Sequence, residues 1–241
     1  MLDIRNFHKI YVANWKLNGS PIFVNEYTDK ISSKYDKSSK CVVICPPNVF
    51  INQIVSKNIL AGGQDCSIYS EGAYTGEVST KILKSLGCTF CIIGHSERRN
   101  LFLENNYLIS KKILNCINDK IIPILCIGES LDEKNQKSTK QVLEKQLIEV
   151  IPKEANENNL IIAYEPLWAI GTGIIPKFDE IFKIHTFIKK DISQTKNFRI
   201  LYGGSVNQSN CKDILRENAV DGLLIGGASL KINEFNKIIE S

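Results

Sequence analysis

Short apolar runs rich in β-branched residues recur along the whole chain, at 9–13, 41–45, 59–62, 89–93, 121–127, 160–164, 199–202 and 222–225. Most are continuous rather than alternating, the pattern of strands covered on both faces. Between them the apolar spacing lengthens to that of helices. Ser20-Pro21 reads as an N-cap followed by proline at the first helical position, opening a helix from Ile22 to Tyr35. Ile181, Ile184, His185 and Ile188 mark one face of another helix, and Ile232, Phe235, Ile238 and Ile239 mark one face of the last. Strands alternating with helices, with no linker or low-complexity break, predict parallel pairing with right-handed crossovers.

Eight such units in 241 residues fit a single-domain α/β fold over 1–241, a closed parallel (β/α)8 barrel. A doubly wound open sheet is the alternative. It is disfavoured because no G-x-G-x-x-G turn follows the first strand.

Composition narrows the class without naming a function. The chain is 43% hydrophobic and 23% charged, as ordinary globular domains are. No run of about 18 apolar residues suggests a membrane span, and the N-terminal residues lack the order of a secretory signal. A cytosolic protein is expected. The net charge of +4 is carried mostly by scattered lysines, which argues against a nucleic-acid surface. Eight cysteines stand at 41, 45, 66, 88, 91, 116, 126 and 211. Cys88-Thr89-Phe90-Cys91 matches C-x-x-C, but no second pair has matching spacing, and strand alternation would send Cys88 and Cys91 to opposite faces. Buried reduced thiols and no metal are expected.

In such barrels reactive groups gather at the C-terminal ends of the strands. The residues there are Asn14 and Lys16, Gln64, His95 and Glu97, Glu165, Gly203-Gly204-Ser205, and Gly226-Gly227. Glu165 ends a strand and is followed by a loop, Pro166 to Gly173, stiff at its start and glycine-containing at its end. That is the layout of a carboxylate beneath a closable lid. The paired glycines present backbone N–H groups unobstructed, as a phosphate site requires, with a short helix at Ala228-Ser229-Leu230 nearby. Either pair alone also reads as a plain turn. Ser96 can cap a helix. His95 would then face its positive end, which disfavours imidazolium and predicts a neutral, hydrogen-bond-donating ring. His8 and His185 read as histidines satisfied within the structure.

Together, Asn14-Trp15-Lys16, Gly94-His95-Ser96-Glu97-Arg98-Arg99, the run from Ala163-Tyr164-Glu165-Pro166-Leu167-Trp168 through Gly173, Tyr202-Gly203-Gly204-Ser205-Val206 and Gly226-Gly227-Ala228-Ser229 resemble the triosephosphate isomerase family. They run in that family's order over nearly the whole chain. The resemblance implies a TIM barrel that interconverts dihydroxyacetone phosphate and D-glyceraldehyde 3-phosphate through an enediolate, a step of glycolysis and gluconeogenesis, with no metal or organic cofactor. It implies Glu165 as the base, His95 as the group that polarises the carbonyl, and Lys16 as positive charge near the phosphate and the developing anion. Asn14 would bind a substrate oxygen and Glu97 would pair with Lys16. Gly171, Ser205, Gly226 and Gly227 would hold the phosphate, while Ile170 and Leu224 would cover Glu165.

A homodimer is implied as well. The segment 64–80 resembles the family's protruding interface loop, with Thr75 against the neighbour's Asn14 and Glu97. One departure stands out. Ile174-Ile175-Pro176 replaces the usual end of the lid, and an ungapped alignment sets Pro176 where a backbone N–H would reach the Tyr202 hydroxyl. Proline has no such donor, so a lid held differently or more weakly is expected. The competing readings are another sugar-phosphate isomerase or epimerase, and an idle barrel that serves as a binding or adhesion protein.

Overall fold

Eight parallel strands pair in sequence order and close into a barrel: β1 (Lys9–Asn14), β2 (Lys40–Cys45), β3 (Leu60–Gly63), β4 (Phe90–Ile93), β5 (Ile122–Ile127), β6 (Ile161–Tyr164), β7 (Arg199–Tyr202) and β8 (Gly222–Ile225). Closure is made by β1 against β8, with Val12 beside Leu224. The computed structural model describes residues 2–31, 36–172, 174, 176–192, 195, 197–216 and 218–241. The helices that cover the sheet are α1 (Pro21–Lys30), α2 (Ile51–Val55), α3 (Thr80–Ser85), α4 (Ser96–Leu101), α5 (Asn106–Asn118), α6 (Leu131–Asn135), α7 (Thr139–Val150), α8 (Phe178–Lys190), α9 (Cys211–Arg216) and α10 (Ile232–Glu240). None is long and apolar enough to cross a membrane.

The expected strands lie within two residues of the observed ones. The first helix is opened as expected by the Ser20 side chain, which accepts from the Phe23 N–H, but it ends at Lys30. Tyr35, Gly173 and Ile175, to which expectations were attached, lie outside the described residues.

The continuous apolar runs have a simple cause: both faces of every strand are buried. One set of side chains, including Ile10, Val12, Phe90, Ile92, Ile124, Ile161, Ala163, Leu201 and Leu224, fills the barrel. The intervening set, including Tyr11, Ala13, Cys91, Ile93, Leu125, Ile162 and Tyr202, packs against the helices. Side chains alternate along a strand, so the inward series carries on past the strand ends. Asn14 follows Ile10 and Val12, Glu165 follows Ile161 and Ala163, Gly203 follows Leu201, and Gly226 follows Leu224. The fold thus delivers these positions to one rim.

Cysteine placement corrects the sequence reading in one respect. All eight thiols are free and buried, as expected. Cys88, however, precedes β4 and packs in the same helix-facing layer as Cys91, because strand alternation does not govern a residue outside the strand.

Candidate active site

Asn14, Lys16, His95, Glu165, Ile170, Gly171, Ser205, Leu224, Gly226 and Gly227 line one cavity of about 240 Å³ at the C-terminal rim. Of the candidate residues, Glu97 borders an adjoining groove and Thr75 lies on a separate exposed loop.

Glu165 is anchored by its backbone, whose N–H donates to the Ile127 carbonyl at 2.7 Å. The residue is 2% exposed, and one carboxylate oxygen stands 3.3 Å from His95 Nε2. The other oxygen, Oε2, is buried with no partner among the described residues.

His95 itself is the N-cap of α4: its Nδ1 accepts the Glu97 backbone N–H at 3.2 Å. This corrects the expectation that Ser96 caps this helix, since the imidazole nitrogen supplies the acceptor one residue earlier. Two influences on the ring oppose each other. Burial favours the neutral form, while the carboxylates of Glu165 and Glu97 favour imidazolium and on balance raise its pKa. The expectation that the helix end keeps the ring neutral is thus opposed by the two carboxylates; in the neutral form the cap decides the tautomer, because an Nδ1 that accepts an N–H carries no proton and leaves the proton on Nε2, facing Glu165.

Lys16 occupies left-handed backbone with φ 52°, uncommon for a residue with a side chain. Three contacts hold it there. Its N–H donates to Asn14 Oδ1 at 3.0 Å. The Gln64 amide donates to the Lys16 carbonyl at 2.8 Å and to the Cys45 carbonyl at 2.9 Å. Its ammonium donates to Glu97 Oε1 at 2.5 Å. Gln64 was visible in the sequence as a rim residue, but its clamp on the Lys16 backbone was not.

The lid begins with a 3-10 turn at Leu167–Ala169. Trp168 Nε1 donates to Glu129 Oε1 at 2.9 Å, and the same oxygen accepts from the Tyr164 hydroxyl at 3.2 Å. Glu129 is 1% exposed and its pKa is raised by burial. Ser205 Oγ donates to the Ala169 carbonyl at 2.6 Å, tying the lid to the loop after β7. The Tyr202 hydroxyl is buried with no hydrogen-bond partner among the described residues, and Pro176 is buried and has no N–H to offer it.

The remaining histidines divide. His8 is exposed ahead of β1, so it is no core histidine. His185 is fully buried, with Nδ1 3.3 Å from the Ala219 carbonyl and its pKa pushed down to about 4 chiefly by burial.

A closed parallel barrel that sets a carboxylate and an imidazole face to face, beside a lysine and two glycine loops, defines an enzyme of the phosphate-handling (β/α)8 class. The profile of the triosephosphate isomerase family matches residues 9–241. A triosephosphate isomerase of Francisella tularensis subsp. novicida (strain U112) is 43% identical over 96% of this chain and 96% of its own. One of Shewanella sp. (strain MR-4) is 41% identical over 92% of this chain and 93% of its own. The chain belongs to the triosephosphate isomerase family and is an aldose–ketose isomerase.

Proposed function

We propose that Glu165 is the base that carries a proton between adjacent carbons of a triose phosphate, converting dihydroxyacetone phosphate and D-glyceraldehyde 3-phosphate into each other. The observation that carries this assignment is the 3.3 Å approach of Glu165 to His95 Nε2 at a buried rim of the cavity. A carboxylate takes the proton from the carbon next to the carbonyl. The Nε2–H donates to the carbonyl oxygen as it becomes the enediolate oxygen, and the proton then returns to the neighbouring carbon. Lys16 supplies positive charge on the same wall, and Asn14 binds a substrate oxygen. The N–H groups at Gly171, Ser205, Gly226 and Gly227 suit the phosphate end. Ile170 and Leu224 exclude water from Glu165, and a dry site strengthens each of these interactions.

A coupled assay starting from glyceraldehyde 3-phosphate tests the base. Glu165→Asp retracts the carboxylate by roughly 1 Å, a displacement that can cost about 100-fold in rate. Undiminished turnover would remove Glu165 from that role.

We infer a homodimer as the working form. The exposed loop that carries Thr75 is stiffened by Tyr69 stacked on Tyr74 at 3.6 Å. A groove of about 620 Å³ beside Asn14 and Glu97 is bordered by exposed Leu17, Leu101 and Phe102. A loop and a groove on the same surface are the self-complementary parts of a two-fold interface, with Thr75 set against the neighbour's Asn14 and Glu97. Thr75→Arg is expected to shift sedimentation toward the monomer and to lower activity together with it. A variant that stays dimeric and fully active would rule out that contact. The unpaired thiols suit a reducing compartment such as the cytoplasm.

A further inference from the structure

Three thiols from three elements converge on the opposite side of β4 from the cavity. Cys66 begins the loop that follows β3, Cys91 lies in β4 and faces outward, and Cys116 sits on the inner face of α5. Their sulfurs all lie within 4.8 Å of one another, and Cys66 and Cys116 are 3.9 Å apart. Cys91 and Cys116 are fully buried, and Cys66 is 3% exposed. Packing alone asks only that a core thiol fill space, and among the described residues no other three cysteines gather in this way.

The spacing is that of ligands around an ion. Three sulfurs held about 2.3 Å from a central metal in one plane stand about 4.0 Å from each other. The donor set also narrows the choice of metal. Zinc in a structural site takes four ligands, and among the described residues no fourth Cys, His, Asp or Glu joins this group. A soft monovalent ion such as Cu(I) prefers thiolates and is satisfied by three of them. The nearest charges form a balanced group of two cations and two carboxylates: Lys112, whose carbonyl lies 4.0 Å from Cys66 Sγ, carries its ammonium 2.7 Å from Asp65 and 2.5 Å from Glu104, and Arg98 Nε lies 2.8 Å from Asp65 and 2.5 Å from Glu104.

We propose that Cys66, Cys91 and Cys116 form a trigonal site for a thiophilic monovalent cation of the Cu(I) class. Binding forms three sulfur–metal bonds, and the thiol protons leave to buffer with no change of oxidation state. Once bound, the ion pins the base of the loop, where the Ser67 N–H already donates to the Val78 carbonyl at 2.9 Å, to β4 and α5. The site is separate from the cavity that holds Glu165, and its test needs no activity measurement.

Reduced, metal-free protein is titrated anaerobically with Cu(I) against a chromogenic cuprous chelator, and the loaded protein is examined by X-ray absorption. The expected result is a single equivalent retained per chain, with three sulfurs at about 2.3 Å and slowed amide exchange over 66–79. Cys66→Ser and Cys116→Ser should each weaken retention by about tenfold or more, while Cys41→Ser and Cys211→Ser should not. Where a core variant fails to fold by circular dichroism, the sulfur count of the unaltered protein decides. A shell of two sulfurs, equal retention in Cys66→Ser, or loss of retention in Cys211→Ser would overturn the proposal.

Discussion

Gly203 lies so close to Glu165 that a β-carbon built on it would stand 2.7 Å from the Glu165 Cγ. The glycine is at the end of β7, where its inward side would otherwise collide with the carboxylate of the neighbouring strand. Gly203→Ala therefore has to push the Glu165 side chain aside. Turnover should fall by about 100-fold, the cost of a displacement near 1 Å, with the fold retained by circular dichroism. Unchanged kcat would show that the carboxylate has room to spare.

The Tyr202 hydroxyl, buried and without a hydrogen-bond partner among the described residues, supplies the next expectation. Removing a polar group that has no partner forfeits no hydrogen bond and relieves desolvation. Tyr202→Phe should leave thermal stability within about 1 kcal/mol of the parent or raise it, and should leave turnover little changed. Pro176→Ala restores an N–H at the lid's far end. It should tighten binding of a phosphate-bearing transition-state analogue and reduce release of inorganic phosphate per turnover. Both gains should vanish when Tyr202→Phe is added; gains that persist in the double variant would assign the effect elsewhere.

His185 makes stability depend on pH. Its folded pKa is depressed to about 4, below the roughly 6.5 expected of an unfolded histidine. Above pH about 6.5 both states are neutral and the residue contributes no pH slope. As pH falls from there toward about 4, the unfolded chain binds a proton that the folded one does not, so stability declines. The total decline is roughly 3 kcal/mol. Urea unfolding at a series of pH values should show this slope, and His185→Gln should flatten it.

Gln64 bridges two carbonyls and so holds Lys16 at its positive φ. Gln64→Leu leaves both carbonyls without that donor and frees the Lys16 backbone to relax. KM for triose phosphate should rise by about tenfold or more, as loss of a buried hydrogen bond of about 1–3 kcal/mol predicts. An unaltered KM would mean that Asn14 and Glu97 suffice to position the lysine.

Much of this could be read from residue order alone. The strands were legible because burial on both faces leaves a continuous apolar run. Glu165, His95 and the glycine pairs were legible because strand ends define a rim. What escaped reading depended on geometry between distant segments. The cap of α4 fell to His95 rather than Ser96 because an imidazole nitrogen can accept as a hydroxyl does, a choice set by ring orientation. The end of α1 at Lys30 left no mark in the apolar spacing. The meeting of Cys66, Cys91 and Cys116 was hidden because a loop, a strand and a helix each contribute one sulfur, with no spacing rule to link them. The C-x-x-C at Cys88 and Cys91 is the pattern the sequence displays instead, and Cys88 belongs to no such group among the described residues.

Glu97 serves two neighbours through two different parts of itself. Its carboxylate meets Lys16, whereas its main-chain N–H steadies the His95 ring. Evolutionary drift at this position therefore has unequal reach: nearly any replacement removes the lysine's counter-charge, but only proline could delete the donor that fixes the imidazole. The orientation of the histidine is written into the backbone, where most mutation cannot touch it.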